Sequence, residues 1–155
     1  MATKINHYLG KDELSTFEPC ETFISGDAVG IELELERCSS VSPSNTFSRS
    51  WSMTEDGSLR DGGREFVLRR PMGGKRLEAA IKTLKDELSL NTSFRRAVAN
   101  ERCSLHVHLN VLDLTFEELK RFILTYLLLE GILFSYAGES RYESNFCTPL
   151  RECSI

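Results

Sequence analysis

The stretch "AVGIELELE", Ala28 to Glu36, alternates without a break: Ile31, Leu33 and Leu35 fall on one side, and Glu32, Glu34 and Glu36 on the other. A period of two marks a β-strand, because successive side chains of an extended chain point to opposite faces. One face is suited to a core. The other is a row of three carboxylates, which is also what a plain solvated strand presents.

The stretch "CSLHVHLNV", Cys103 to Val111, repeats the pattern. Leu105, Val107, Leu109 and Val111 face one way, towards a core, and Ser104, His106, His108 and Asn110 the other. Two imidazoles two residues apart on a strand share a face and can serve one ligand sphere. An isolated pair of this kind is as readily two half-exposed strand residues.

Between these strands, "SWSMT" and "REFVLRR" flank "EDGSLRDGG", and the Asp-Gly and Gly-Gly pairs supply the positive φ of tight turns, so a hairpin is expected. Pro71, Gly73 and Gly74 close it. Leu77, Ala80, Ile81, Leu84 and Leu88 then recur at helical spacing, with a short second helix near Phe94 to Ala99. Thr115 and Glu118 form a capping box, opening an apolar helix that runs to about Phe134. The serine-rich "RCSSVSPSNTFSRS" reads as a surface loop, and residues 1–27 as an irregular lead-in to a domain over 28–155. The order β-β-β-α-β-α gives an α+β fold, an antiparallel sheet with helices packed on one face.

The 155 residues suit a single core. A formal net charge of -4 argues against a nucleic-acid partner, which would be met by a basic surface. Five scattered cysteines without a C-x-x-C pair fit reduced thiols in a cytoplasm. The polar start "MATKINHYLGKDEL" lacks a signal-peptide core, and Phe122 to Phe134, interrupted by Glu130, is too short for a bilayer. No membrane segment is expected.

Several glutamates with a histidine make an oxygen-rich donor set, which suits magnesium or manganese better than zinc. Magnesium held this way usually accompanies phosphate. "PMGGKR" lacks the first glycine of a P-loop, so any ATP would be held by the sheet and its metals. Glu65, grouped by alternation with Val67, is a further carboxylate source or an exposed strand glutamate. Asp56 and Ser58 read first as turn residues. Glu130 on its apolar helix needs a partner, or faces the site. Arg141 reads as a solvated loop arginine.

In order along the chain, "GIELELE", "W-x-x-x-x-DGSL", "GREFVL-x-x-P", "SLHVHLNV", "Y-x-x-x-E" on the last helix and "SR-x-x-x-x-FCTPL" resemble the amidoligase family of phages and bacteria, ATP-dependent carboxylate-amine ligases related to glutamine synthetase. The resemblance implies a glutamine synthetase-like sheet whose concave polar face is the active site. It implies Glu32, Glu34 and Glu65 as magnesium or manganese ligands, with His106 holding a second metal and the ATP phosphates and His108 auxiliary. It places Asp56 near the site and gives Arg141 the neutralisation of phosphate or substrate carboxylate. The implied reaction joins a carboxylate and an amine of a small molecule or peptide through an acyl phosphate, in the cytoplasm (of the host, for a phage protein). Family members continue to a further strand with an E-x-R pattern, whereas this chain stops at "RECSI" and covers the first half to two thirds of the domain. A truncated sheet leaves an open edge, completed by a second polypeptide or by self-association. Two other readings stand beside the ligase: a zinc or manganese hydrolase built on His106 and His108, and an inactive interaction subunit that keeps the fold.

Overall fold

The computed structural model describes residues 3–8, 28–38, 43–138, 141 and 149–152. The chain divides into two compact units, residues 18–110, and residues 1–17 with 111–155.

The first unit is a four-stranded antiparallel sheet with helices on it. β1 (Val29–Leu35) is the alternating stretch, β2 (Trp51–Thr54) and β3 (Arg64–Leu68) form the hairpin, and β4 (Leu105–Leu109) is the histidine strand. Their order across the sheet is β2-β3-β1-β4. Glu34 stands opposite Glu65, and Glu32 opposite both Val67 and His106. The turn between β2 and β3 takes its positive φ at Asp61 (52°) and Gly62 (70°), as the Asp-Gly pair predicts. The fold is therefore α+β with an antiparallel sheet, as expected.

The apolar face of the sheet carries the core of this unit. Trp51 and Phe66 are fully buried, and Ile31, Leu33 and Leu35 pack against that cluster. A helix over Gly74–Leu90 lies on this face through Ala80 and Leu84. Trp51 Nε1 donates to Ala80 O at 2.9 Å and so pins that helix to β2. Phe66 meets Phe47 and Phe94 edge-on, with ring centroids 6.1 and 5.6 Å apart.

Three local expectations differ from the structure. The serine-rich segment holds a helix, Asn45–Ser50, capped by Ser44, whose hydroxyl accepts the Phe47 N–H. Phe47 drives it, being fully buried, and the serines that suggested a loop include its cap. Residues 39–42 of that segment lie outside the described residues. In place of a helix near Phe94 to Ala99 there is a 3-10 turn, Thr92–Phe94, after which Val98 bridges to Glu36. Finally, Leu105, Val107 and Leu109 do not reach a core: they are 63, 55 and 51% exposed, because β4 is the last strand in the order and lies beyond the buried cluster.

The second unit holds a short helix, α1 (Ile5–Tyr8), and a long one; with the two already described as α2 (Asn45–Ser50) and α3 (Gly74–Leu90), the long helix is α4 (Phe116–Ala137). The capping box forms as read: Thr115 Oγ1 accepts the Glu118 N–H, and Glu118 Oε2 accepts the Thr115 N–H at 2.8 Å. Ile5 N–H donates to Leu114 O just before the cap. Glu130 is 1% exposed, and its Oε1 accepts the Leu150 N–H at 2.6 Å, which supplies the partner that a carboxylate on an apolar helix requires. No helix among the described residues is long and apolar enough to cross a membrane.

Candidate functional site

The polar face of the sheet gathers six candidate residues from three strands and one turn. Glu32 and Glu34 come from β1, Glu65 from β3, His106 and His108 from β4, and Asp56 from the turn after β2. Glu65 and Glu34 are direct cross-strand neighbours, and so are Glu32 and His106. A cross-strand pair brings side chains to about 5 Å. Four residues widely spaced in sequence thus meet because the register makes them adjacent.

Two donor groups result. Ligand atoms of Glu32, Glu65 and His106 lie within 4.8 Å of one another, and so do those of Glu34, Asp56 and Glu65. Glu65 belongs to both. Its Oε2 also accepts a hydrogen bond from Thr54 Oγ1 at 3.1 Å, which orients the carboxylate from the neighbouring strand.

The imidazoles converge on a single atom. His106 Nδ1 and His108 Nε2 each lie 3.1 Å from Glu32 Oε2, and the two rings are nearly perpendicular, at 89°. Burial alone would raise the Glu32 carboxyl, but hydrogen bonding to His106 and His108 and the charge of the two rings outweigh it, so the group sits below its ordinary value. Asp56 is also lowered, first by the Ser58 N–H, which donates to its Oδ1 at 2.7 Å, and then by the Ser58 hydroxyl. Gly30 stands opposite His108, where a Cβ would come within 3.2 Å of the His108 Cβ. Its lack of a side chain leaves room for that ring above the sheet.

Not every predicted residue joins the site. Glu36 continues the glutamate row on paper, but the strand ends before it and Arg37 turns with φ 58°. It is buried, accepts the Arg60 N–H and the Asn100 amide, and serves as a structural anchor. His108 touches Glu32 without belonging to either donor group. Arg141 lies in the unit of residues 1–17 and 111–155, where its N–H donates to Gly138 O, and is in neither donor group. Of the "SR-x-x-x-x-FCTPL" motif, Ser140 and Phe146 to Thr148 fall outside the described residues. Cys103 is buried with its Sγ against Val98 O and Asn100 Oδ1, so the sheet's polar face offers no thiolate from it.

Asp56, a turn former that the resemblance also sets near the site, brings its carboxylate to Glu34 and Glu65. Ser104 gains a role that its sequence context did not reveal. Ser104 contacts both Glu34 and His106; its only signal in the sequence is its place two residues before His106, on the same face of the strand.

The donor chemistry fits a hard divalent cation. Four carboxylates and one imidazole favour magnesium or manganese, whereas a structural zinc site would draw on more nitrogen or sulfur. A cavity of about 440 Å³ between α2 and α3, lined by Ser44, Thr46, Thr83 and Glu87, shares no residue with these groups. Comparison of the chain with protein-family models, with curated proteins and with solved structures finds no match.

Proposed function

We propose that this chain is an ATP- and magnesium-dependent ligase that joins a carboxylate to an amine, or the part of such a ligase that carries the metals. The observation that supports it is Glu65, a carboxylate common to two donor groups on one polar sheet face. Two cations about one shared carboxylate are a recurring arrangement in enzymes that move phosphoryl groups. The ordered motifs resembling amidoligases point to the same chemistry.

Glu32, Glu65 and His106 would hold one cation, and Glu34, Asp56 and Glu65 the other. Bound there, magnesium would offset the charge on the ATP phosphates as the terminal phosphoryl group is transferred. In the overall reaction the substrate carboxylate takes up that group, and the amine nitrogen then attacks the acyl carbon. The carbon–oxygen bond to phosphate breaks, and an amide, phosphate and ADP leave. The residues of this chain contribute by orientation: Thr54 holds Glu65, the two imidazoles hold Glu32, and the Ser58 N–H keeps Asp56 ionised. Arg141 as the group that meets phosphate or substrate carboxylate is part of the proposal, carried by the sequence motif alone.

The zinc hydrolase reading needs both imidazoles on one ion, and His108 lies outside the donor groups. A manganese titration followed by electron paramagnetic resonance separates the readings. The expected result is two bound manganese ions per chain, displaced by magnesium, with Glu65→Gln losing both and Glu32→Gln weakening one by about 10-fold or more. ADP should form only with a carboxylate and an amine together. Purified protein that holds one zinc per chain and no manganese would overturn the proposal.

A further inference from the structure

Ser104, one residue before β4, stands beside Glu34, whose backbone N–H donates to Ser104 O at 2.9 Å. The Ser104 N–H donates to Glu34 Oε2 at 2.9 Å, and the Ser104 hydroxyl makes a short contact with that same oxygen. Ser104 Oγ is also 2.8 Å from His106 Nε2. A hydroxyl has one proton to give. A carboxylate oxygen only accepts, so in that contact the hydroxyl proton goes to Glu34 Oε2. Ser104 Oγ then has only lone pairs to offer His106, and His106 Nε2 carries hydrogen.

His106 Nδ1 faces Glu32 Oε2 at 3.1 Å. A hydrogen on Nδ1 fills that gap in the hydrogen bond to Glu32, and a cation ligated by both atoms would take its place, leaving Nδ1 its lone pair and Nε2 its hydrogen. Glu65, the third member of that donor group, completes the set.

We propose that Ser104 is the positioning residue of this metal site: it holds His106 with hydrogen on Nε2, so that Nδ1 takes the cation shared with Glu32 and Glu65, and through Glu34 Oε2 it ties that position to the second one. The inference rests on the metal reading above. It adds the ligating atom of His106 and a mechanical link between the two groups. With Oε2 occupied by two hydrogen bonds, Glu34 presents Oε1 to the second cation.

The test uses the full chain, with manganese titration for affinity and imidazole nitrogen spectra of the magnesium-loaded protein for the proton position. The wild type should show His106 with hydrogen on Nε2. Ser104→Ala should lose that preference and weaken manganese about 10- to 100-fold, and Ser104→Thr, which restores the hydroxyl, should recover both. Far-UV circular dichroism checks that the alanine variant keeps its fold, as its backbone N–H still reaches Glu34. If the wild type binds manganese but carries hydrogen on Nδ1 or on both nitrogens, the role of Ser104 fails. It also fails if the alanine variant matches the wild type in both readouts. If the wild type binds no manganese, the metal reading itself falls, and this inference with it.

Discussion

Gly63 shows how little room single residues have in the sheet unit. It is buried, its N–H donates to Arg60 O at 2.9 Å, and a Cβ there would come within 2.5 Å of Leu59 Cβ and 3.2 Å of two backbone carbonyls, Arg60 O and Leu35 O. Carbonyls cannot swing aside as a flexible side chain can. Gly63→Ala should therefore destabilise the protein by about 1–3 kcal/mol, read as a lower urea midpoint with an unchanged slope. The same scale shows what was legible in the sequence and what was not. Glu32 and Glu34 are legible as site residues because alternation alone sets their face. Glu36 is misleading because the strand stops one residue earlier, at a backbone turn that no side-chain pattern announces. That Glu65 meets Glu34 depends on the β1–β3 register, which is a long-range fact set by pairing and turn length. Asp56 could be seen as a turn residue, but its proximity to Glu34 and Glu65 depends on where the hairpin lands.

Among the elements, those with strong local signals appear where the sequence places them. The capping box of α4 is the clearest case, since both of its reciprocal hydrogen bonds form. Glu118 is held below its ordinary value first by the Thr115 N–H and then by the Thr115 hydroxyl. Thr115→Ala should cost about 1 kcal/mol and reduce the helical signal in circular dichroism at neutral pH. No loss on substitution would mean that the box adds nothing to the helix. α2 was hidden by the opposite effect. Serine, threonine and asparagine compete with the backbone for hydrogen bonds and so read as loop, yet one of them, Ser44, caps the helix, and Phe47 anchors it in the core. Ser44 is itself held by Glu87 of α3, whose oxygens accept its N–H at 3.1 Å and its hydroxyl at 2.6 Å. A contact spanning that much sequence leaves no local trace.

For the whole molecule, the acid side of the stability curve follows from the carboxylates. Burial alone would raise Glu87, but the Ser44 hydroxyl, the Asn91 amide and the Ser44 N–H together hold it below 4.5. Glu32 is likewise held below 4.5 by the two histidines. A carboxyl lowered in the folded state binds its proton more weakly there than in the unfolded chain. Its stabilisation is therefore complete above about pH 4.5 and is lost as pH falls through the folded value. The contribution of the Glu87 carboxyl should be level down to about pH 5 and then decline. Glu87→Gln should be less stable than the wild type by about 1 kcal/mol at pH 7, and the two should converge as pH falls through the folded value of the Glu87 carboxyl. A constant gap across that range, measured by urea unfolding, would show that Glu87 acts by shape and not by charge.

The carbonyl of Ser104 points at β1, where it accepts the Glu34 N–H. Backbone groups two residues apart on a strand share a direction, so the amides of His106 and His108 also point inward to β1. Those of Leu105, Val107 and Leu109 point outward, along the edge of the described sheet, and their side chains are exposed as well. A strand added along that edge would bond to the leucine and valine positions and leave the backbone of the two histidines untouched. Recruitment of another chain and cation chemistry would then occupy alternate residues of one five-residue strand, without competing for the same atoms.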